Sequence, residues 1–182
     1  MAKKKVKAAP VAGIKLDLGC GKNKRAGFLG VDSRAFEGVD VVHDLRQTWP
    51  WADGSVDEVH CSHFVEHLTA SERIHFVNEL FRVLKPGGTA QIIVPHWNSH
   101  RAYGDLTHQW PPVSEMWFFY LNKEWRAVNA PHNDGYTCDF EATWGYTLRQ
   151  DLLARNEEFR QHAIANFKDA AQDIIATIKA KK

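Results

Sequence analysis

Glycines and carboxylates near the start of the chain are spaced as in a nucleoside-binding site. The apolar run over residues 13–18 ends in Gly19-Cys20-Gly21, and Asp32 ends the next apolar run. Glycines after a buried strand let a ligand lie against the backbone, and a carboxylate at the neighbouring strand tip can accept both ribose hydroxyls. A dinucleotide site would also need a third glycine and a helix N-terminus facing the pyrophosphate. Because residues 22–30 leave little room for a helix, a nucleoside carrying a cation fits better.

The elements that must position these residues alternate as in an α/β protein. Apolar runs predict strands over residues 13–18, 28–32, 39–45, 56–61 and 89–95. One helix is predicted to begin after Thr69, whose pattern with Glu72 is that of a capping box, and to end at residues 85–88. The second half predicts a short helix over 112–121, a strand over 138–146, a helix over 152–167 and a last strand over 173–178.

Several motifs of the first half, taken in order, resemble the class I S-adenosylmethionine-dependent methyltransferases. They are Leu-Asp-Leu-Gly-Cys-Gly at 16–21, Gly-Val-Asp at 30–32, Asp-Leu at 44–45, Val-Asp-Glu-Val at 56–59, Phe-Val-Glu-His-Leu at 64–68 and Leu-Lys-Pro-Gly-Gly at 84–88. The resemblance covers roughly residues 13–95 and implies S-adenosylmethionine as the cofactor. It implies an α/β, Rossmann-like fold: a seven-stranded, mostly parallel sheet with helices on both faces and a minimal first helix. The last strand would be antiparallel and lie between the fifth and the sixth.

The resemblance also assigns cofactor-binding residues. Asp17, Gly19 and Gly21 would hold the amino-acid part of the cofactor, and Asp32 would bind the ribose. The remaining assignments are Cys20 as a small space-filler in the same turn, Asp44 and Leu45 at the adenine, and Ser62, His63 and Phe64 beside the methyl group.

The segment 96–135 is expected to cover the cofactor and to build the acceptor site. Its Gly104-Asp105-Leu106-Thr107-His108 resembles an Asp-Pro-Thr-His motif of some small family members. Methyl transfer from a sulfonium depends mainly on alignment and exclusion of water, but a hydroxyl or ammonium acceptor must lose a proton. The candidate general bases are His96, His100 and His108, with Asp105 as an orienting partner. Packing or capping within a loop is the alternative role for each.

Two histidine patterns suggest a metal, and neither one requires it. His63-Phe64-Val65-Glu66-His67 matches the H-x-x-E-H of a zinc peptidase, which must lie within a helix, whereas the capping box starts the helix at Thr69. A third ligand for that pattern is also not identifiable. A second set of possible zinc ligands consists of His96, His100, His108, His132 and Cys138, but the spacing of these residues does not require a zinc site. We therefore expect no metal.

Charge favours a small acceptor molecule. The chain carries a net charge of +1, yet seven lysines lie in residues 3–7 and 179–182, which leaves 16 basic against 22 acidic side chains over 8–178, a charge near −6. Nucleic-acid affinity rests mostly on Lys and Arg neutralising phosphates, so such a body is a poor partner for nucleic acid. The Lys-rich tails keep a nucleic-acid or protein acceptor as an alternative.

Length and composition complete the expectations. We expect a single domain over 1–182, with a cofactor-binding half at 13–95, a substrate and lid region at 96–146, and a C-terminal helix and strand at 147–182. The three widely spaced cysteines, the absence of a signal-peptide apolar run and the lack of any membrane-spanning run predict a cytoplasmic protein with reduced thiols. Two other functions are considered. One is a module that binds the cofactor or a partner without turnover, and the other is a nicotinamide-dependent oxidoreductase, disfavoured by the missing third glycine.

Overall fold

A seven-stranded sheet forms the centre of the computed structural model, which describes residues 13–182. The strands are β1 (Ile14–Leu18), β2 (Leu29–Asp32), β3 (Val41–Val42), β4 (Val56–Ser62), β5 (Leu84–Pro95), β6 (Phe140–Leu148) and β7 (Ala171–Ala180). The helices are α1 (Ala70–Val83), α2 (Arg101–Gly104), α3 (Glu115–Phe119), α4 (Lys123–Asn129) and α5 (Glu157–Asn166). The N-terminal Lys-rich tail, expected as a possible contact for nucleic acid or protein, lies outside the described residues. Among residues 13–182, no helix combines the length and apolarity needed to cross a bilayer.

The strand order is β3-β2-β1-β4-β5-β7-β6. Strands β1 to β5 pair in parallel, and β7 is antiparallel to both of its neighbours, β5 and β6. The predicted seven-stranded, mostly parallel sheet with a final antiparallel strand between the fifth and sixth is therefore confirmed. In a parallel sheet the carboxyl ends of the strands share one edge, and open α/β sheets bind ligands there.

The core lies on one face of this sheet. Its inward residues include Leu16 and Leu18 of β1 and Val59 of β4, and α1 packs on them with Phe76 and Leu80, all buried. On the opposite face, the exposed residues of the paired strands β6 and β7 include Glu141, Thr143, Thr177 and Lys179. The helical cover is thus concentrated on one face, whereas the resemblance implied helices on both faces. The reason is local, because the connections over residues 19–28 and 33–40 form turns without a helix.

The boundaries of several elements differ from the predicted ones. Strand β3 has only two residues, and β5 starts at Leu84, so the Lys85-Pro86-Gly87-Gly88 stretch that ends α1 is already part of the strand. The helix predicted from residue 152 begins at Glu157, because the Asn156 side chain caps it by accepting a hydrogen bond from the Phe159 amide at 2.9 Å. Helix α4 was not predicted; Asn122 caps it in the same way.

Glu79 of α1 connects the helix to the loop that contains Trp49 and Trp51. Its carboxylate, 9% exposed, accepts a hydrogen bond from the Trp49 amide at 2.6 Å and two from the Arg82 guanidinium at 2.7 and 2.8 Å. Arg82 also reaches the Trp49 and Trp51 carbonyls. The hydrogen bonds from Arg82 lower the pKa of Glu79, so the carboxylate is favoured in the folded state.

We expect Glu79→Gln to lower the free energy of unfolding by about 1–3 kcal/mol at neutral pH, because a buried ionic hydrogen-bond network loses its charge. Since the folded pKa lies below the unfolded value of about 4.3, the Glu79 contribution is complete above that pH. It is lost as the pH falls through the folded pKa. Urea unfolding of both proteins should show the difference shrinking on acidification. Glu157→Gln, which removes an exposed ion pair with Arg160, is the control and should change stability much less.

Candidate functional site

Two cavities meet at the carboxyl edge of β1, and both are lined by Gly19. The first, of about 300 Å³, is lined by Gly19, Asp32, Ser33, Arg34, His43, Asp44, Leu45, Arg46, Phe64, His67 and Leu68. The second, of about 350 Å³, is lined by Asp17, Gly19, Cys20, Gly21, Lys22, Asn23, His60, Ser62 and His63. All ten residues predicted to contact the cofactor therefore line one or both cavities.

The turn after β1 depends on two glycines in the left-handed region. Gly19 has φ +68° and Gly21 has φ +53°. A Cβ on Gly19 would lie 2.5 Å from the Phe64 ring, which packs directly on the backbone, whereas a Cβ on Gly21 would meet nothing within 4 Å. Gly19 is thus required by packing as well as by conformation, and Gly21 leaves open space at the cavity wall.

Asp17 is the buried anchor of this turn. The residue is only 2% exposed, and each of its carboxyl oxygens has a hydrogen-bond partner. One oxygen lies 2.7 Å from His60 Nδ1, and the other accepts the Arg25 amide at 2.7 Å. The carboxylate therefore fixes the loop 19–25 against β4, in addition to lining the second cavity.

Asp32 lies at the end of β2 and borders the first cavity. One of its carboxylate oxygens accepts the Gly21 amide and the other the Arg34 amide, each at 3.0 Å. A carboxylate offers about four lone-pair directions, so both oxygens retain capacity for a ligand. The two backbone bonds hold the carboxylate in one orientation.

Asp44 is engaged by a neighbour that sequence reasoning missed. Arg46 donates to both Asp44 oxygens at 2.9 Å, and this pairing holds the pKa of Asp44 below its ordinary value. Leu45, between them in the chain, is 3% exposed. The sequence contained a signal for this pair, since Asp44 and Arg46 are only two residues apart. At that spacing the Arg46 backbone amide also donates a hydrogen bond to the Asp44 carboxylate.

The turn after β4 brings a strained histidine to the second cavity. His63 has φ +54°, which is uncommon for a non-glycine residue, and its Nδ1 lies 3.2 Å from Glu66. The hydrogen bond to Glu66 raises the pKa of His63. On the far side of the ring, Nε2 lies 3.9 Å from Asp173, which Arg101 contacts at 2.8 Å. Glu66, Arg101 and Asp173 were not predicted as site residues. Glu66 had a signal in the H-x-x-E-H pattern at 63–67, whereas Arg101 and Asp173 had none.

The three predicted general bases and their orienting partner Asp105 do not form one cluster, and none of these four residues lines either cavity. His96 is 1% exposed, with Nε2 2.9 Å from Glu115 and Nδ1 accepting the Asn98 amide. His100 is exposed and pairs with Asp169 at 2.7 Å. Both rings therefore bind carboxylates within the lid region or beside it.

His108 and Asp105 are brought together with His67 from the β4–α1 connection. The His67 and His108 rings lie edge to face with centroids 4.8 Å apart. Thr107 links them to Asp105, because its hydroxyl contacts both His67 Nδ1 and an Asp105 oxygen. Of the four candidates, only this pair joins a cluster that reaches a cavity-lining residue.

Comparison with known proteins agrees with this architecture. Residues 26–92 match the family model described as a methyltransferase domain. That match covers 67 of the 182 residues of this chain. The solved structure of a SAM-dependent methyltransferase from Archaeoglobus fulgidus has the same fold, with a TM-score of 0.65 and 19% identity over 92% of this chain and 86% of that one.

Two curated relatives match in sequence over part of their length. An uncharacterized methyltransferase of Synechocystis is 25% identical over 63% of this chain and 59% of its own. A tRNA (carboxymethyluridine(34)-5-O)-methyltransferase of Arabidopsis thaliana is 28% identical over 70% of this chain and 34% of its own. The chain thus spans between one third and three fifths of these relatives.

The two glycines allow a matched test of the turn. Gly21→Ala adds a side chain in open space and should lower the free energy of unfolding by about 1–2 kcal/mol, the cost of a left-handed residue. Gly19→Ala must also displace the Phe64 ring and should cost about 2–5 kcal/mol. Urea unfolding of both variants measures the difference. Equal losses would contradict the packing of Phe64 on Gly19.

Proposed function

We propose that this chain transfers the methyl group of S-adenosylmethionine to a small acceptor molecule. The observation that carries the proposal is the pair of cavities that meet at Gly19, one bordered by Asp32 and Leu45 and the other by Asp17 and Gly21. An elongated ligand with a nucleoside at one end and an amino-acid group at the other fits two such connected spaces. The match of residues 26–92 to a methyltransferase domain supports the same assignment.

The first cavity suits the nucleoside end. The Asp32 carboxylate is held by the Gly21 and Arg34 amides and keeps lone pairs for two ribose hydroxyls. Leu45 and Phe64 supply apolar surface for the adenine. Asp44, with both oxygens bound by Arg46, is assigned to the adenine end as part of this ion pair rather than as a free carboxylate.

The second cavity suits a cation. Burial and the charges of Asp17 and Asp32 raise the pKa of the Cys20 thiol, so Cys20 stays neutral and is no nucleophile. The same negative charge would attract an ammonium or sulfonium group. The open space at Gly21 lets such a ligand approach the backbone of the turn.

The absence of a helix over residues 19–28 argues against a dinucleotide. A pyrophosphate is normally bound at a helix N-terminus, whose free amides and dipole favour negative charge. Here the β1–β2 connection is a series of turns, and the cavity beside it is bordered by the Asp17 carboxyl group. A nicotinamide cofactor is therefore a poorer match than a cationic nucleoside.

S-adenosylmethionine, when bound, supplies a methyl group activated by a positively charged sulfur. The chain's own contribution would be alignment and exclusion of water, with Ser62, His63 and Phe64 at the junction of the two cavities. The three histidines expected as general bases and their orienting partner Asp105 line neither cavity, so the proposal places no proton transfer on them. A small acceptor is preferred because the body over 8–178 is negatively charged.

Incubation of the protein with methyl-labelled S-adenosylmethionine and cell extract tests the activity and the acceptor class together. The extract is separated into small molecules, RNA and protein, and we expect label in the small-molecule pool. Label in RNA or protein would overturn the acceptor class. Label in no pool, with the cofactor still bound, would instead make the chain a non-catalytic binding module.

Asp32→Ala should weaken binding of S-adenosylhomocysteine by about 10- to 150-fold, because it removes a charged acceptor of the ribose hydroxyls worth about 1.5–3 kcal/mol. Isothermal calorimetry gives the affinity, with circular dichroism to establish folding. Asp134→Ala, an exposed acid away from both cavities, is the charge-matched control and should bind normally. Unchanged affinity in Asp32→Ala would place the ribose elsewhere.

A further inference from the structure

Three side chains from two segments converge beside the first cavity. Glu66 and His67 belong to the short 3-10 turn Val65–His67, and His108 comes from the lid region. One potential metal-binding atom of each lies within 4.8 Å of the others. Two imidazoles and one carboxylate are a common ligand set for zinc and related divalent transition metals.

The hydrogen bonds of both histidines leave the same nitrogen free. His108 Nδ1 lies 3.2 Å from the Ala102 carbonyl, which can only accept, so Nδ1 carries the proton. The Thr107 hydroxyl donates to Asp105 and therefore accepts from His67 Nδ1 at 2.9 Å. Each ring is thus held through Nδ1, and its Nε2 makes no hydrogen bond to the described residues. Metal-binding histidines are oriented by such outer hydrogen bonds to carbonyls and carboxylates.

Glu66 has an unpaired oxygen inside the protein. The residue is 4% exposed, Oε1 contacts His63, and Oε2 is buried without a hydrogen-bond partner. Burying an unpaired carboxylate oxygen is costly, and native structures usually satisfy it with a donor, water or ion. This atom is the second, independent indication of a ligand at the cluster.

Arg73 of α1 holds the two ligand-bearing segments together. It is 5% exposed and donates to the Val65 and Glu66 carbonyls on one segment and to the Gln109 and Pro111 carbonyls on the other. The Gln109 amide adds a direct bond to the Glu66 carbonyl at 2.8 Å. The spacing of Glu66, His67 and His108 is therefore set by a buried framework rather than by mobile surface loops.

We infer that Glu66, His67 and His108 form a binding site for one divalent transition metal of the zinc type. The sequence pattern His63-Phe64-Val65-Glu66-His67 lacked a helix and a third ligand for a peptidase centre. The turn geometry instead directs His63 to Glu66, and His108 supplies the missing ligand from the lid. The metal would fasten the lid region to the β4–α1 connection beside the first cavity. This is an addition to the proposed methyl transfer and does not depend on it.

Co²⁺ is the probe, because it replaces zinc in such sites and has visible absorption bands that report nitrogen and oxygen ligands. The untagged full chain is stripped with chelator and titrated with Co²⁺. We expect one equivalent to bind, with saturable visible bands, and zinc to displace it. Mass spectrometry of metal content gives the stoichiometry independently, and neither readout requires S-adenosylmethionine.

Variants assign the ligands. His108→Asn and Glu66→Gln should abolish the bands at equimolar Co²⁺. Thr107→Val, which removes the hydroxyl that links His67 to Asp105 but no ligand atom, should weaken Co²⁺ affinity about tenfold or more. His132→Asn, an exposed histidine outside the cluster, is the matched control and should bind as the parent does.

The outcomes separate clearly. A parent protein that binds no Co²⁺ in the micromolar range would overturn the inference, as would binding that persists in His108→Asn. If Glu66→Gln fails to fold, the partly exposed His108 and the exposed Thr107 still decide the result. Since cofactor binding is measured separately by calorimetry, loss of the metal site leaves the test of methyl transfer intact.

Discussion

The buried carboxyl group of Asp17 is the constraint on which the two cavities depend. A polar group that is 2% exposed is costly to bury without partners, and here His60 and the Arg25 amide contact its two oxygens. Those two bonds hold the turn after β1 against β4, and the turn in turn presents the Gly21 amide to Asp32. The position of the turn that lines the cavities therefore depends on the Asp17 carboxyl group near the end of a buried strand.

The buried Arg73 has the same organising role where the lid region meets the first cavity. Arg73 satisfies backbone carbonyls of two segments that are about 40 residues apart in the chain, so the lid region is anchored next to the β4–α1 turn. With few helices over the first half of the sheet, the lid supplies much of the cover near the site. Within the lid, Phe118 is buried and stacks on Trp144, whereas Trp97, Tyr103, Trp110 and Phe119 are exposed.

The first half of the fold was predictable because its signals are local. Buried apolar strands, the glycines of a left-handed turn and the Thr69–Glu72 capping pattern each act within a few residues, and all appear where expected. The second half was less predictable. Helix α4 and the start of α5 are set by the side-chain caps Asn122 and Asn156, which are short polar residues in a region without clear periodicity. The predicted general bases failed to assemble for a related reason, since His96 and His100 pair with Glu115 and Asp169, 19 and 69 residues away.

The sequence by itself determined which segments form strands, where the glycine turn lies and which carboxylates follow the strand ends. These features depend on strand period, turn conformation and capping, which are short-range properties of the chain. Only the tertiary structure decided which polar side chains have a hydrogen-bond partner and which do not. His96 is paired with Glu115, and one oxygen of Glu66 is left unpaired beside His67 and His108. Such pairings depend on long-range packing, since a carboxylate or imidazole binds the partner that folding brings within about 3 Å.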